Sequence, residues 1–402
     1  MCSVGDDFET ESKESPKFML KRGPVQFDKC NKCKDQKPVI LLRYEDAYCK
    51  DCFLMGSNHK FKALLGKSKL IRPNDRVLIS YEVGQPSSAL LHLLRNGLDL
   101  DSPKRLRIEP VIVFLEDQYH LTVKERQDMI DKVVNDILTM KFKPHLISFA
   151  CSLLNEEMVI SDRNLTISED DWETVDKIFA KQITNSNKHE ALNIFRRDVL
   201  IAVAKKLQCK FIFTPELSVE IASSLLTNMS LGRGSQVPDD TGFCDSRDKD
   251  VKILRPLRTF DMKEIAFYNI LHGLAPVSIK QPVVNPYSSI QTLMKQFITG
   301  LQRDYPATVA TVVRTGDKLA LDKTKVSGKC KLCQGVVLRK TEELTSEESI
   351  SFSKIVSNEL PDHKISSEER YVKVKEKFDN NYGDEKSDEY CFSCSKLYGC
   401  LL

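Results

Sequence analysis

The chain has 402 residues, 41% of them hydrophobic and 29% charged, with a formal net charge of +3. That length allows two or three units, one large enough for a full core. The near-neutral balance excludes an overall basic protein, so any nucleic-acid contact must come from a local patch. No apolar run approaches the roughly 18 residues that span a bilayer, so no membrane role is expected.

Eight of the thirteen cysteines fall into four Cys-x-x-Cys pairs, Cys30/Cys33, Cys49/Cys52, Cys330/Cys333 and Cys391/Cys394. The N-terminus is polar and acidic and lacks a signal-peptide core, so metal is favoured over disulfides. Cys2, Cys151, Cys209, Cys244 and Cys400 are single. Cys151 and Cys209 lie in apolar surroundings and read as small core residues. Cys400 is third from the end, not fourth, and does not fit the prenylation pattern.

Residues 1–26 are rich in Ser, Glu, Asp, Lys and Pro and read as a disordered tail. Residues 27–55 carry the first two pairs with fifteen residues between them and a short strand, Pro38 to Arg43. That spacing predicts a closed four-Cys zinc finger. His59 could join a metal site, but four cysteines already fill this one. Residues 56–75 form a connector in which Lys60, Lys62, Lys67, Lys69 and Arg72 stand with almost no acid. It reads either as a phosphate-backbone contact or as a solvated helix face.

Residues 76–279 alternate strand and helix. Val77 to Tyr81 opens the series as a strand, followed by a turn with Gly84 and Pro86. A helix, Ala89 to Leu98, follows, with Ser87 or Ser88 as N-cap. Strand, tight loop and helix N-terminus form the usual cradle for a phosphate. Here one glycine remains, Gly84; Glu82 adds a negative charge and Pro86 removes a donor. Gly84, Ser87 and Ser88 are the candidate nucleotide contacts, and ATP binding is doubtful. Further strands are expected within 107–116, 144–150, 210–215 and 251–255. Helices are expected over 124–140, 172–182, 191–207, 219–229 and 262–271. This alternation predicts an α/β fold with a doubly wound, mostly parallel sheet, whose ligands would bind at the carboxyl ends of the strands.

Residues 280–329 read as a helical extension, with a helix over 290–303. Residues 330–402 read as a Cys-pair zinc module with a disordered insert, 340–389. The 57 residues between the last two pairs exceed ordinary finger spacing, so whether these pairs share a metal is left open.

The order of these features carries a resemblance: the four-Cys finger, the Lys60 to Lys69 segment and the decayed loop come first. Leu231-Gly-Arg-Gly-Ser235, Asp240-Thr-Gly-Phe-Cys-Asp245, Arg255-Pro-Leu-Arg258 and a closing Cys pair follow. From residue 27 to the C-terminus the chain resembles the cytoplasmic tRNA 2-thiolation protein 2 family. The resemblance implies a PP-loop ATP pyrophosphatase fold (adenine nucleotide alpha hydrolase-like). Active members carry Ser-Gly-Gly-x-Asp-Ser, where this chain has Glu82-Val-Gly-Gln-Pro-Ser87; only Gly84 and Ser87 match. After the fourth strand a Gly-His-x-x-Asp-Asp motif is replaced by Thr214-Pro-Glu-Leu-Ser-Val219. Active thiolating relatives also hold an iron–sulfur cluster through core cysteines, whereas residues 186–198 contain none, so no cluster is expected.

The resemblance further implies a cytoplasmic subunit that pairs with a catalytic tRNA thiolase. That complex transfers sulfur from a thiocarboxylated ubiquitin-related modifier to wobble uridine 34 of tRNA(Lys), tRNA(Glu) and tRNA(Gln). The connector lysines with Arg72, Arg196, Arg197 and Arg233 are the candidate tRNA contacts. Two other readings compete. One is an active ATP-dependent thiouridylase with an altered loop. The other is a zinc-based ubiquitin-ligase adaptor, which the lone four-Cys site at 30–52 disfavours.

Overall fold

The structure is a computed structural model. It describes residues 28–43, 45–101, 105–118, 121–153, 159–162, 165, 173–175, 177, 184–279, 285, 287–319, 326–338, 346–358, 372 and 389–401. The chain divides into two compact units, residues 1–55 and 56–402. In the first, β1 (Ile40–Leu42) and β2 (Asp46–Tyr48) pair antiparallel. Helix α1 runs from Lys50 to Ser68, so the basic connector is largely helical.

The second unit is built on a six-stranded sheet. Its strands are β3 (Asp75–Tyr81), β4 (Ile108–Glu116), β5 (Pro144–Ser148), β6 (Phe211–Phe213), β7 (Cys244–Asp245) and β8 (Lys252–Leu254). They lie in the order β5-β4-β3-β6-β8-β7, all parallel except β7. From β3 the chain winds first through β4 and β5, then crosses to β6 and β8. The switch point therefore lies between the carboxyl ends of β3 and β6, where open α/β sheets bind ligands.

The connecting helices are α2 (Gln85–Leu98), α3 (Val123–Thr139), α4 (Phe149–Leu153), α5 (Asn185–Lys206), α6 (Ser218–Ser230), α7 (Val237–Thr241) and α8 (Met262–His272). Strand side chains alternate between faces. On one face Leu78, Val113, Ile147, Ile212 and Ile253 pack with Ile194, Leu200 and Val203 of α5. On the other, Tyr81 stacks edge-on against Phe114 with centroids 6.3 Å apart and donates to Asp136 of α3 at 2.5 Å. Helices α9 (Ile290–Asp304) and α10 (Ala307–Gly316) complete the helical layer beside α6, where Ile298, Val309 and Val313 meet Val219 and Ala222.

Several boundaries differ from the sequence expectation for local reasons. Helix α2 begins at Gln85, four residues before Ala89. Gly84 is its N-cap and Pro86 lies in the first turn, where a missing N–H costs nothing. Helix α5 starts earlier, at Asn185, because Thr184 accepts from Asn187 N–H at 3.1 Å and caps it. The helix expected over 172–182 lies almost wholly outside the described residues. Within 340–389, read as a disordered insert, Ser346–Asn358 forms a helix, α11. The expected tail at 1–26 lies outside the described residues.

Candidate functional site

The loop after β3 is shaped by Gly84, whose φ of 140° falls where side-chain-bearing residues are strained. Around it the polar groups are consumed internally. Ser87 Oγ accepts the backbone N–H of Glu82 at 2.9 Å. Ser88 is fully buried and donates to Asp136 at 2.7 Å. Asn269 of α8 pins the carbonyl of Gln85 at 3.1 Å. Beside the loop, Arg196 of α5 pairs with Asp117 at the end of β4. The cavity left between them holds about 90 Å³ and is lined by Ser80, Tyr81, Glu82, Asp117, Gln118 and Arg196, among others. Small-molecule sites run from about 300 Å³ upward, and this cavity is smaller than that.

The matching loop after β6 is equally closed. Glu216 accepts from Thr214 Oγ1 at 2.8 Å and from Arg255 Nε at 2.7 Å. Arg255 also donates to the carbonyls of Asp239 and Gly242 at 3.0 and 2.9 Å, and Arg258 to Asp317 at 2.7 Å. The Arg255-Pro-Leu-Arg258 motif thus holds loops in place. Glu216 and Asp117 were not singled out from sequence; their one signal was position, just past a strand end.

The cysteines behave differently. Cys30, Cys33, Cys49 and Cys52 bring their Sγ atoms within 4.8 Å of one another, and so do Cys330, Cys333, Cys391 and Cys394. Across the pairs the Cys33–Cys49 and Cys333–Cys391 sulfurs stand 3.9 and 3.8 Å apart. A tetrahedral ion with metal–sulfur bonds of about 2.3 Å sets its sulfurs about 3.8 Å apart. An iron–sulfur cube would hold them farther apart.

Both sites use the same local device. Lys34 and Gln334 follow the first pairs in left-handed conformation, with φ of 62° and 58°, and their N–H groups bond the carbonyls of Cys30 and Cys330 at 2.9 and 3.0 Å. The second pairs sit at the first turns of α1 and of α12 (Phe392–Leu401). Burial opposes ionisation of Cys30, but the backbone N–H groups of Cys33, Cys49 and Lys32 outweigh it and hold the thiol at about 6. In the second quartet, hydrogen bonds from Cys333, Cys391 and Cys394 hold Cys330 well below the usual thiol range. Each set therefore offers a ready thiolate. The 57-residue separation left open whether the second set's pairs share a metal; its four cysteines come together, buried in the core beneath α5.

The expected RNA contacts divide. Lys67, Lys69 and Arg72 are exposed and Lys62 partly so; among the described residues none of the four makes an ion pair. Lys60 is anchored, pairing with Glu264 at 2.7 Å and lying over Phe260 at 4.3 Å. Arg196 is tied to Asp117, and Arg197 to Asp245 at 3.2 Å. Arg233 corrects the sequence reading most clearly: it is only 5% exposed and is held by Glu190 and Asp240. A buried guanidinium paired with two carboxylates is not offered to a phosphate.

Comparison with known proteins gives the same picture. A family model described as cytoplasmic tRNA 2-thiolation protein 2 matches residues 289–396. The cytoplasmic tRNA 2-thiolation protein 2 of Aedes aegypti is 32% identical over 342 residues, covering 80% of this chain and 74% of that protein. The chain belongs to the cytoplasmic tRNA 2-thiolation protein 2 family. The Homo sapiens member is 30% identical over 377 residues, covering 79% of this chain and 72% of its own. Members of the cytoplasmic tRNA 2-thiolation protein 2 family carry the expected location in their name, and no described helix is long and apolar enough to cross a membrane. Among solved structures, a U34-tRNA thiolase, NcsA from Methanococcus maripaludis with its [4Fe-4S] cluster, matches with a TM-score of 0.55 at 18% identity. The match covers 76% of this chain and 93% of that one. It shows that this chain shares the fold of that thiolase.

Proposed function

We propose that this chain is a non-catalytic, tRNA-binding subunit of the cytoplasmic tRNA thiolation complex. It serves the 2-thiolation that forms 5-methoxycarbonylmethyl-2-thiouridine at position 34 of tRNA(Lys), tRNA(Glu) and tRNA(Gln). A catalytic thiolase partner performs the transfer, drawing sulfur from a thiocarboxylated ubiquitin-related modifier. The observation that carries this reading is the state of the switch point. Activating a uridine carbonyl needs loop donors on ATP and carboxylates on Mg²⁺. Here Ser87 caps Glu82 N–H, Pro86 lacks a donor, and Glu216 and Asp117 are spent on arginines.

Zinc is the proposed ion at both quartets, since four thiolates at tetrahedral spacing suit it. Its role is structural: it closes the knuckle turns and adds folding free energy. The exposed basic residues Lys67, Lys69 and Arg72, with the partly exposed Lys62, are the proposed phosphate contacts on tRNA.

The test is nucleotide binding and turnover by the purified chain, alone and with its partner. No ATP binding at millimolar concentration, with turnover only in the complex, is expected. ATP hydrolysis by the isolated chain, lost on Ser87→Ala, would instead establish the active-thiouridylase reading.

A further inference from the structure

The segment Leu231 to Gln236 lies against the C-terminal cysteine module. Gln236 is fully buried, and its side-chain amide bonds Val336 twice. Nε2 donates to the Val336 carbonyl at 2.7 Å, and the Val336 N–H donates to Oε1 at 3.1 Å. Gly232 passes so close to Phe392, next to Cys391, that a Cβ would meet the ring at 2.8 Å. Between these contacts sits Arg233, 5% exposed. Its Nη1 serves Glu190 of α5 and its Nη2 serves Asp240 of α7, the latter at 3.3 Å. Its third donor nitrogen, Nε, is buried with no hydrogen-bond partner among the described residues. Burial opposes the charge of this guanidinium, but Asp240 and Glu190, and after them Cys333 and Cys394, hold it protonated.

A buried N–H left unpaired costs about 1–3 kcal/mol and calls for an explanation. Four thiolates around a divalent ion leave a net charge of 2−, and buried in a core this charge needs nearby donors and cations. Arg233 supplies both, with one donor still uncommitted.

The chain of contacts continues outward. Glu190 accepts from Gln291 Nε2 at 2.9 Å, and Gln291 also donates to the Ser186 carbonyl at 3.1 Å. Gln291 belongs to the first turn of α9, so Arg233 stands between the cysteines and the anchorage of that helix. The family match at residues 289–396 begins at this helix and ends just past Cys394.

We propose that Arg233 is the charge-balancing outer-sphere partner of the C-terminal four-thiolate metal site, and that through Glu190 and Gln291 it ties metal occupancy to the seating of α9. This rests on the reading that the C-terminal quartet holds a metal. Without Arg233, Glu190 would lose its guanidinium partner while Asp240 kept its pair with Arg247 at 2.6 Å, and the thiolate charge would lose the cation that balances it. Glu190 competes for the same guanidinium, so neutralising Glu190 should leave the metal held as firmly or more so. Loss of packing alone would loosen the site in both variants.

The experiment uses the full chain loaded with Zn²⁺ and challenged with a chelating dye. Cys330→Ser identifies the C-terminal equivalent. Arg233→Gln is expected to release that equivalent about ten-fold faster or more, with the Cys30 site unchanged. Glu190→Gln is expected to show no acceleration. With Co²⁺ in place of Zn²⁺, Arg233→Gln should move the C-terminal thiolate-to-cobalt band to longer wavelength, because the cation no longer stabilises the sulfur lone pairs. Wild-type release and an unmoved band in Arg233→Gln overturn the proposal, as does equal acceleration in Glu190→Gln. If Arg233→Gln does not fold, Arg233→Gln combined with Glu190→Gln, which removes the carboxylate left without its partner, carries the test: release at the wild-type rate with an unmoved band overturns it, and faster release with the band at longer wavelength supports it. A wild-type chain that takes up only one equivalent overturns the metal reading itself, and this inference with it.

Discussion

At the scale of single residues, the loop after β3 shows a cradle turned to internal use. Gly84 has a left-handed φ of 140° in a loop whose Ser87 Oγ is committed to the Glu82 N–H. Gly84→Ala should therefore lower unfolding free energy by about 1–3 kcal/mol, read as a shift in urea midpoint, with thiolation preserved at permissive temperature. Gln236 makes a second test. Gln236→Leu strands the N–H and carbonyl of Val336 in the core and should cost about 2–4 kcal/mol. On the surface, Lys67→Ala with Lys69→Ala should weaken tRNA retention about equally for all three substrates. The slope of log affinity against log salt should drop by about one to two. An unchanged slope would take α1 and the turn after it out of the tRNA surface. Arginines show most clearly what the sequence leaves open. Arg196 and Arg197 are neighbours in the chain, yet they serve Asp117 and Asp245 at different strands. Whether an arginine is spent or offered depends on partners far away in sequence.

At the scale of elements, local chemistry wrote most of the boundaries. Helix α3 starts at a capping box in which Thr122 Oγ1 accepts from Glu125 N–H at 3.4 Å and Glu125 Oε2 from Thr122 N–H at 3.0 Å. The parallel strands were legible because both faces are buried, giving apolar runs such as Val77–Tyr81. The two-residue strand β7 was not, since pairing rather than pattern creates it. The contact of α2 with α8 carries a pH dependence. His92 Nδ1 lies 2.9 Å from the Tyr268 hydroxyl, and its ring lies 4.2 Å from that of His272. Burial, reinforced by His272, pushes His92 down to about 4. A histidine held low favours its neutral form in the fold. Its contribution is complete above the ordinary value of about 6.5 and is lost as pH falls toward about 4. The urea midpoint of wild type should fall over that window more steeply than that of His92→Gln. Parallel curves would show that His92 does not govern the acid limb.

At the scale of the whole molecule, two features with different legibility meet in one chain. The first quartet could be read from spacing alone, because its four cysteines fall within 23 consecutive residues, Cys30 to Cys52. The second could not, because closing a loop of 57 residues is decided by the core it returns to. Chelation should remove two equivalents of metal, and the second quartet, being buried in the core, should account for the larger loss of thermal stability. The central claim is that the fold has been kept while the chemistry has left it for a partner. The most direct measurement is tRNA thiolation, read on a mercury-containing gel, in cells lacking this protein. Rescue would be tried with wild type, with Glu82→Gln combined with Ser87→Ala, and with Cys330→Ser combined with Cys333→Ser. The account predicts full thiolation from the loop variant and little from the cysteine variant. A loop variant that is folded and bound to its partner yet leaves tRNA unthiolated would contradict it.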